Sequence, residues 1–264
     1  MKQVASLQYG VIFKKAFSQP DIFTAFVRAV LGIEFSCDVV ETEKSFSPPI
    51  GNVDSRFDLF AQDEKNRIIV DIQHVRSHDH YDRFLHYHCV ALLEQVANAK
   101  SYRHTLKIFT IVVLTSGDKH QKDVLTIDFD PKDLNGNGVK EISHKIIYLC
   151  PKYANENTPA AYKEWMDAIQ DTLDEEVEET HYHELMIQKI FDSIEKDGIS
   201  PTERARMFEE YNNEEHKQTV FAEGELKAKQ TIAKGMLLEG LNLEIIAKLT
   251  DLTIEAVEEL RNND

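Results

Sequence analysis

The 264-residue chain is short of cysteine, of basic charge and of long apolar runs. Its three cysteines, Cys37, Cys89 and Cys150, lie far apart and form no CxxC pair. That excludes a disulfide framework and a cysteine zinc site as working expectations, and favours a reducing compartment. No apolar run approaches the roughly 20 residues that span a bilayer, and the start, MKQVASLQYG, lacks the apolar core of a secretion signal. A cytoplasmic location is expected. There is no GxSxG, no phosphate-binding glycine-rich loop and no Cys/His dyad at a recognisable spacing. Basic residues number 30 against 46 acidic ones, for a formal charge of −16. Such a balance normally disfavours nucleic acid, because phosphates repel acidic surfaces.

What is present is ordinary globular composition, 42% hydrophobic and 29% charged, on a chain long enough to bury a core. The acidity is uneven. Residues 1–159 carry 19 basic and 20 acidic side chains, and the rest of the chain carries 11 and 26. The near-neutral front part therefore has room for a basic cleft. Phe13, Phe17, Phe23, Phe26, Val27, Val30 and Leu31 fall at helical spacing, interrupted at Pro20, with Ser18 or Asp21 opening the second helix and Gly32 ending it. Residues 36–50 read as extended before a loop through Pro48, Pro49 and Gly51. Strands are expected at 56–62 and 67–73, joined by the four-residue turn 63–66, with a helix over 79–103 burying Phe84, Leu85, Val90, Leu92, Leu93 and Val96. Further strands are expected at 108–115 and 144–150. From Pro159 the sequence turns to acidic helices, ending in two short helices capped at Asn242 and Thr253. The expected organisation is an α/β domain over 1–158 and an acidic all-helical region over 159–264.

The hairpin carries the chemistry. If Gln62 faces Arg67 across the turn, then Phe60 faces Ile69, Asp58 faces Asp71, and Arg56 faces Gln73. Alternation then sends Phe57, Leu59, Ala61, Ile68, Val70 and Ile72 to one apolar face. Arg56, Asp58, Asp71 and Gln73 share the other. Two carboxylates directly opposed on a sheet lie about 5 Å apart and repel, so they need a compensating cation. A hard divalent ion such as Mg²⁺ or Mn²⁺ suits two oxygen donors, and Arg56 is the competing counter-charge.

Asp58, a short turn and Asp71-Ile72-Gln73 resemble the PD-(D/E)XK nuclease motif, and specifically its recombination-promoting nuclease and transposase group. FKKAF (13–17), FDLFAQDEKNRIIVDIQ (57–73), DRFLHYH (82–88) and IFTIVVLT (108–115) follow in the order of that group over roughly residues 9–153, and the acidic helical tail is similar too. The resemblance implies a restriction-endonuclease-like mixed central sheet flanked by helices, and metal-dependent hydrolysis of DNA phosphodiesters. It implies Asp58, Asp71 and the Ile72 carbonyl as metal ligands, with Gln73 in the place of the usual lysine. Gln73 orients a water by hydrogen bonding but supplies no charge. The early acidic residue of the family's first helix has no clear match, and Glu41 and Glu43 both stand as substitutes. The helix beside the hairpin places Arg83 and Tyr87 at i,i+4, suited to a phosphate, with a salt bridge from Arg83 to Asp79 or Asp82 as the plainer alternative. Lys14, Lys15 and Arg56 are further candidates for the DNA backbone.

Other signals compete. His74, His78, His80, His86 and His88 suggest zinc, yet their spacing gives no common face and no cysteine joins them. Asp133-Leu-Asn-Gly-Asn-Gly138 matches half of a calcium loop but has His144 at the twelfth position, and reads as a turn. The terminal helices look like a helix-turn-helix whose recognition helix carries Glu255, Glu258 and Glu259, so self-association or packing is expected of them ahead of DNA reading. The expected function is a Mg²⁺-dependent (or Mn²⁺-dependent) DNA endonuclease of recombination or transposition. Its rival is a catalytically degenerate DNA-binding scaffold of the same fold. A zinc-binding interaction module is the third reading.

Overall fold

The structure, a computed structural model, describes residues 1–46, 55–74, 80–95 and 105–262. Pro48, Pro49, Gly51, His78, Asp79, Val96 and the end of the helix expected over 79–103 lie outside these residues.

A six-stranded mixed sheet forms the centre, in the order β2-β3-β4-β5-β7-β6. Its strands are β2 (Glu41–Phe46), β3 (Ser55–Gln62), β4 (Asn66–Gln73), β5 (Lys107–Leu114), β6 (Val124–Asp128) and β7 (Lys145–Leu149). β2, β3 and β4 form an antiparallel meander, β4, β5 and β7 run parallel, and β6 returns antiparallel to β7. A small pair of β1 (Lys2–Gln3) and β8 (Glu176–Val177) lies apart. The expected hairpin register is present, with Gln62 opposite Arg67 and Leu59 opposite Val70.

Strict alternation in β5 buries both faces of the sheet. Phe109, Ile111 and Val113 join one core, while Ile108, Val112 and Leu114 join the other. The first core is covered by α1 (Gly10–Phe17), α2 (Pro20–Leu31), α4 (Ala160–Asp171) and α5 (Leu185–Ser193). Pro20 opens α2 at its first turn, and Gly32 closes it at φ 62°, a left-handed position that suits glycine. The second core is covered by α3 (His80–Leu93). Its buried residues are His80, Phe84, Tyr87, His88, Val90 and Ala91. Leu85 and Leu93, expected inside, are 36% and 53% exposed, because angular position and not hydropathy decides which helix residues face the sheet.

Two further expectations change. Phe57 joins Phe60 and Ile69 in the α3-side core, instead of following Leu59. The alternation breaks at the intervening Asp58. The acidic region also does not separate at residue 159. The compact unit runs Met1–Phe208, and Trp165 packs against Phe26 and Phe17 with ring centroids 5.3 and 6.3 Å apart. The acidity of this stretch is concentrated in the segment between α4 and α5, whereas the apolar faces of both helices belong to the main core.

The second unit, Glu209–Asp264, holds most of α6 (Pro201–Leu238), with α7 (Leu243–Thr250) and α8 (Ile254–Asn262) around Ala233, Ile246 and Val257. Asn242 and Thr253 cap α7 and α8 as expected, accepting from the Glu244 and Ala256 N–H groups. Among the described residues, no helix is long and apolar enough to cross a membrane.

Candidate active site

The β3–β4 ladder opens just past Leu59 and Val70, and there two carboxylates take over the backbone's hydrogen bonding. The Asp58 N–H donates to Asp71 Oδ1 at 3.2 Å, and the Ile72 N–H donates to Asp58 Oδ2 at 3.1 Å. On its other edge β3 also loosens at Asp58. Its pairs with β2 run on either side of Glu43 and Asp58, and Glu43 sits at φ 58°. A non-glycine residue held there stores strain of the kind that gathers at functional sites.

Helix α1 delivers a cation to this point. Lys14 Nζ pairs with Glu43 Oε1 and lies 3.5 Å from Asp58 Oδ1. Arg56 Nε pairs with the other Glu43 oxygen. The structure therefore distinguishes the two acids the sequence left open: Glu43 joins the cluster, while Glu41 pairs with Lys44 at 2.8 Å on the exposed edge.

These surroundings divide the three carboxyls. Asp71 is 3% exposed. Burial, and next the Asp58 charge, push it well above the usual carboxylate range. Asp58 is also raised, chiefly by burial, with Lys14 opposing. Glu43 feels the upward push of burial, yet Lys14 and Arg56 hold it below its ordinary value. Asp71 Oδ2 is buried with no hydrogen-bond partner among the described residues. An unpaired oxygen on one of two mutually repelling carboxylates fits a hard divalent cation. Among the described residues, no three His, Cys, Asp or Glu side chains form a ready metal cage.

A family model described as PD-(D/E)XK nuclease family transposase matches residues 11–224, a span that takes in Lys14, Glu43, Asp58 and Asp71. The chain belongs to this family. No curated protein and no solved structure matches it. Membership implies a nuclease- or transposase-related function of the hydrolase type, in a superfamily that generally uses divalent metals. The mixed sheet between helices agrees with a restriction-endonuclease-like α/β fold.

The other candidate residues are distributed around the β3–β4 hairpin. Gln73 ends β4, where its carbonyl accepts the Thr115 N–H. Arg83 and Tyr87 do share a helix face. Arg83 Nε donates to the Tyr87 hydroxyl at 3.2 Å, and the guanidinium lies over the Tyr87 ring. Among the described residues Arg83 forms no ion pair, with Asp82 or any other acid. Its charge acts on Asp71 from across the sheet end. Lys15, by contrast, is held to Glu203 and to the Gly198 carbonyl. Sequence spacing gave no sign that Lys14 enters the carboxylate cluster. Only the packing of α1 on the first core aims it there.

The histidines disperse. His74 contacts Thr115, His80 faces Asp118, His86 is exposed, and His88 is buried against Thr110, its pKa lowered to about 3 by burial. Among the described residues these histidines share no common point, His78 lying outside them. Asp133 accepts from the Asn135 and Asn137 N–H groups inside a tight turn, as the sequence suggested. Glu255, Glu258 and Glu259 are exposed on α8.

Proposed function

We propose that this chain is a divalent-metal-dependent DNA endonuclease, acting in recombination or transposition in the cytoplasm. The observation that carries the proposal is the buried, unpartnered Asp71 Oδ2, on a carboxylate whose other oxygen accepts the Asp58 N–H, within the span the family model matches. Asp58 and Asp71 would hold the ion, with the Ile72 carbonyl beside them. When bound, Mg²⁺ or Mn²⁺ supplies positive charge against a phosphate and lowers the pKa of water. Gln73, at the end of the same strand, orients a water through its amide. Arg83 binds a phosphate oxygen, with Tyr87 fixing its guanidinium. Lys14 neutralises Asp58 and Glu43 on the α1 side, giving the cluster a positive charge that Gln73 lacks. Lys15 and Arg56 complete the basic residues near the DNA backbone.

Nicking of supercoiled plasmid with Mg²⁺ or Mn²⁺ tests the proposal. Wild type is expected to nick, while Asp58→Ala and Asp71→Ala lose at least about 100-fold of the rate, the scale of removing a principal electrostatic group. Equal nicking by wild type and Asp71→Ala would place the chemistry elsewhere. The engagement of Glu43 by Lys14 and Arg56, which leaves two carboxylates for a metal, favours one alternative: a DNA-binding scaffold that keeps the fold without efficient chemistry. DNA binding without nicking in either metal is its signature.

A further inference from the structure

The basic residues first assigned to DNA are largely engaged within the protein: Lys14 and Arg56 with Glu43, and Lys15 with Glu203. Cations without such partners stand elsewhere at the same end of the sheet. In the ladders Gln73 pairs with Leu114 and Val113 with Leu149, so β4, β5 and β7 end side by side, about 10 Å across at roughly 4.8 Å per strand. The segment after β5 carries Lys119 and Lys122, and the turn after β7 carries Lys152. All three are exposed, and their ammonium groups form no ion pair or hydrogen bond among the described residues.

Two acids of this region, Asp118 and Asp123, are held by internal partners, while Asp82 beside Arg83 and Glu156 beyond Lys152 are exposed. Asp118 is buried, accepts the His120 N–H at 2.8 Å and lies 3.2 Å from His80 Nε2, which ties the segment to the start of α3. Asp123 accepts from the Val124 N–H and the Thr158 hydroxyl, and its carbonyl accepts the Cys150 N–H. Gly117, at φ 81°, packs so closely on the Tyr153 ring that a Cβ there would sit 2.4 Å from Cε2. The two lysine-bearing segments and the Arg83 helix are thus fastened into one platform, with Asp118 and Asp123 engaged within it.

The geometry points to this platform, Arg83 with Lys119, Lys122 and Lys152, as the track that holds the phosphate backbone of duplex DNA across the ends of β5 and β7. The inference rests on DNA being the substrate, as proposed above. Phosphate contacts contribute sequence-independent affinity that falls with salt, about 0.9 in log–log slope for each contact.

The test is the binding of a fluorescent 20-base-pair duplex by the full chain in EDTA, followed by anisotropy across a salt series. Lys119→Gln/Lys122→Gln/Lys152→Gln is compared with Lys65→Gln/Lys107→Gln/Lys140→Gln. The second set removes the same charge from exposed lysines lining a cavity of about 590 Å³ at the opposite ends of β4 and β5. The first set is expected to weaken binding more than tenfold near 100 mM salt and to lower the slope by about 2.7. The second set should stay within about twofold of wild type. Lys→Arg at the first three positions should retain binding, and thermal melting checks that each variant is folded. Equal losses from both sets, or a loss only from the second, overturn the track while leaving the catalytic proposal intact. No binding by wild type, in EDTA or with Ca²⁺, removes DNA as the ligand and the track with it.

Discussion

At Asp71, burial and a neighbouring carboxylate both favour the protonated form. A carboxyl raised on folding costs stability as pH climbs from its ordinary value to the raised one. The folded state then holds a proton that the unfolded state has lost, and must finally ionise in place. Asp71→Asn keeps the acceptor for the Asp58 N–H and removes the charge. In EDTA, its Tm is expected to exceed wild type by roughly 2–4 °C at pH 8, about 1 kcal/mol, and to match it below pH 4. An unchanged Tm at pH 8 would contradict the buried-charge account. The register of Leu59–Gln62 against Arg67–Val70 was legible in the sequence because the alternating pattern and a four-residue turn permit one pairing. The Lys14 contact was not, since it depends on where α1 packs and leaves no mark in local spacing.

Among the elements, the central strands were readable for the same reason: Phe109, Ile111 and Val113 alternate with Ile108, Val112 and Leu114, and both sets are buried. β6 escaped notice because its residues are mostly half-buried on the sheet edge, so the apolar signal is weak. The break at Asp58 was equally hidden, because period-two reading assumes an unbroken strand. Gly117 is an element-scale joint between the segment after β5 and the turn after β7. Gly117→Ala meets both a left-handed backbone and the Tyr153 ring, so a loss above about 1 kcal/mol is expected in chemical denaturation, together with weaker duplex binding. Normal stability with normal binding would show that the joint is dispensable. Helix α4 is a structural wall despite its acidic sequence. Trp165→Ala should cost about 3–5 kcal/mol, read as a shifted urea midpoint.

On the scale of the molecule, composition and architecture divide the chain at different places. The charge break near residue 159 describes solvent-facing side chains, whereas the packed unit continues to Phe208. A fragment of residues 1–208 is therefore expected to melt cooperatively, and a fragment of residues 1–158, lacking Trp165, Met166 and Ile169, to remain largely unfolded by circular dichroism. Cooperative melting of the shorter fragment would restore the compositional boundary. The second unit leaves Ile245, Leu249 and Ile254 half or more uncovered or nearly so, at 50%, 62% and 43%. Self-association through the C-terminal helices, the expectation from the sequence, would cover this apolar surface. Sedimentation of wild type against Ile245→Glu/Leu249→Glu should show the variant as the smaller species.

The exchange of hydrogen bonds between Asp58 and Asp71 has a consequence for observation. Two amides, those of Asp58 and Ile72, end on the carboxylates themselves, so each reports the electronic state of the oxygens without any added label. In a ¹⁵N-resolved spectrum these two resonances should move first as pH or divalent ion is titrated, ahead of the regular ladder from Leu59 to Gln62. The hairpin is in that sense its own indicator, wired through the main chain.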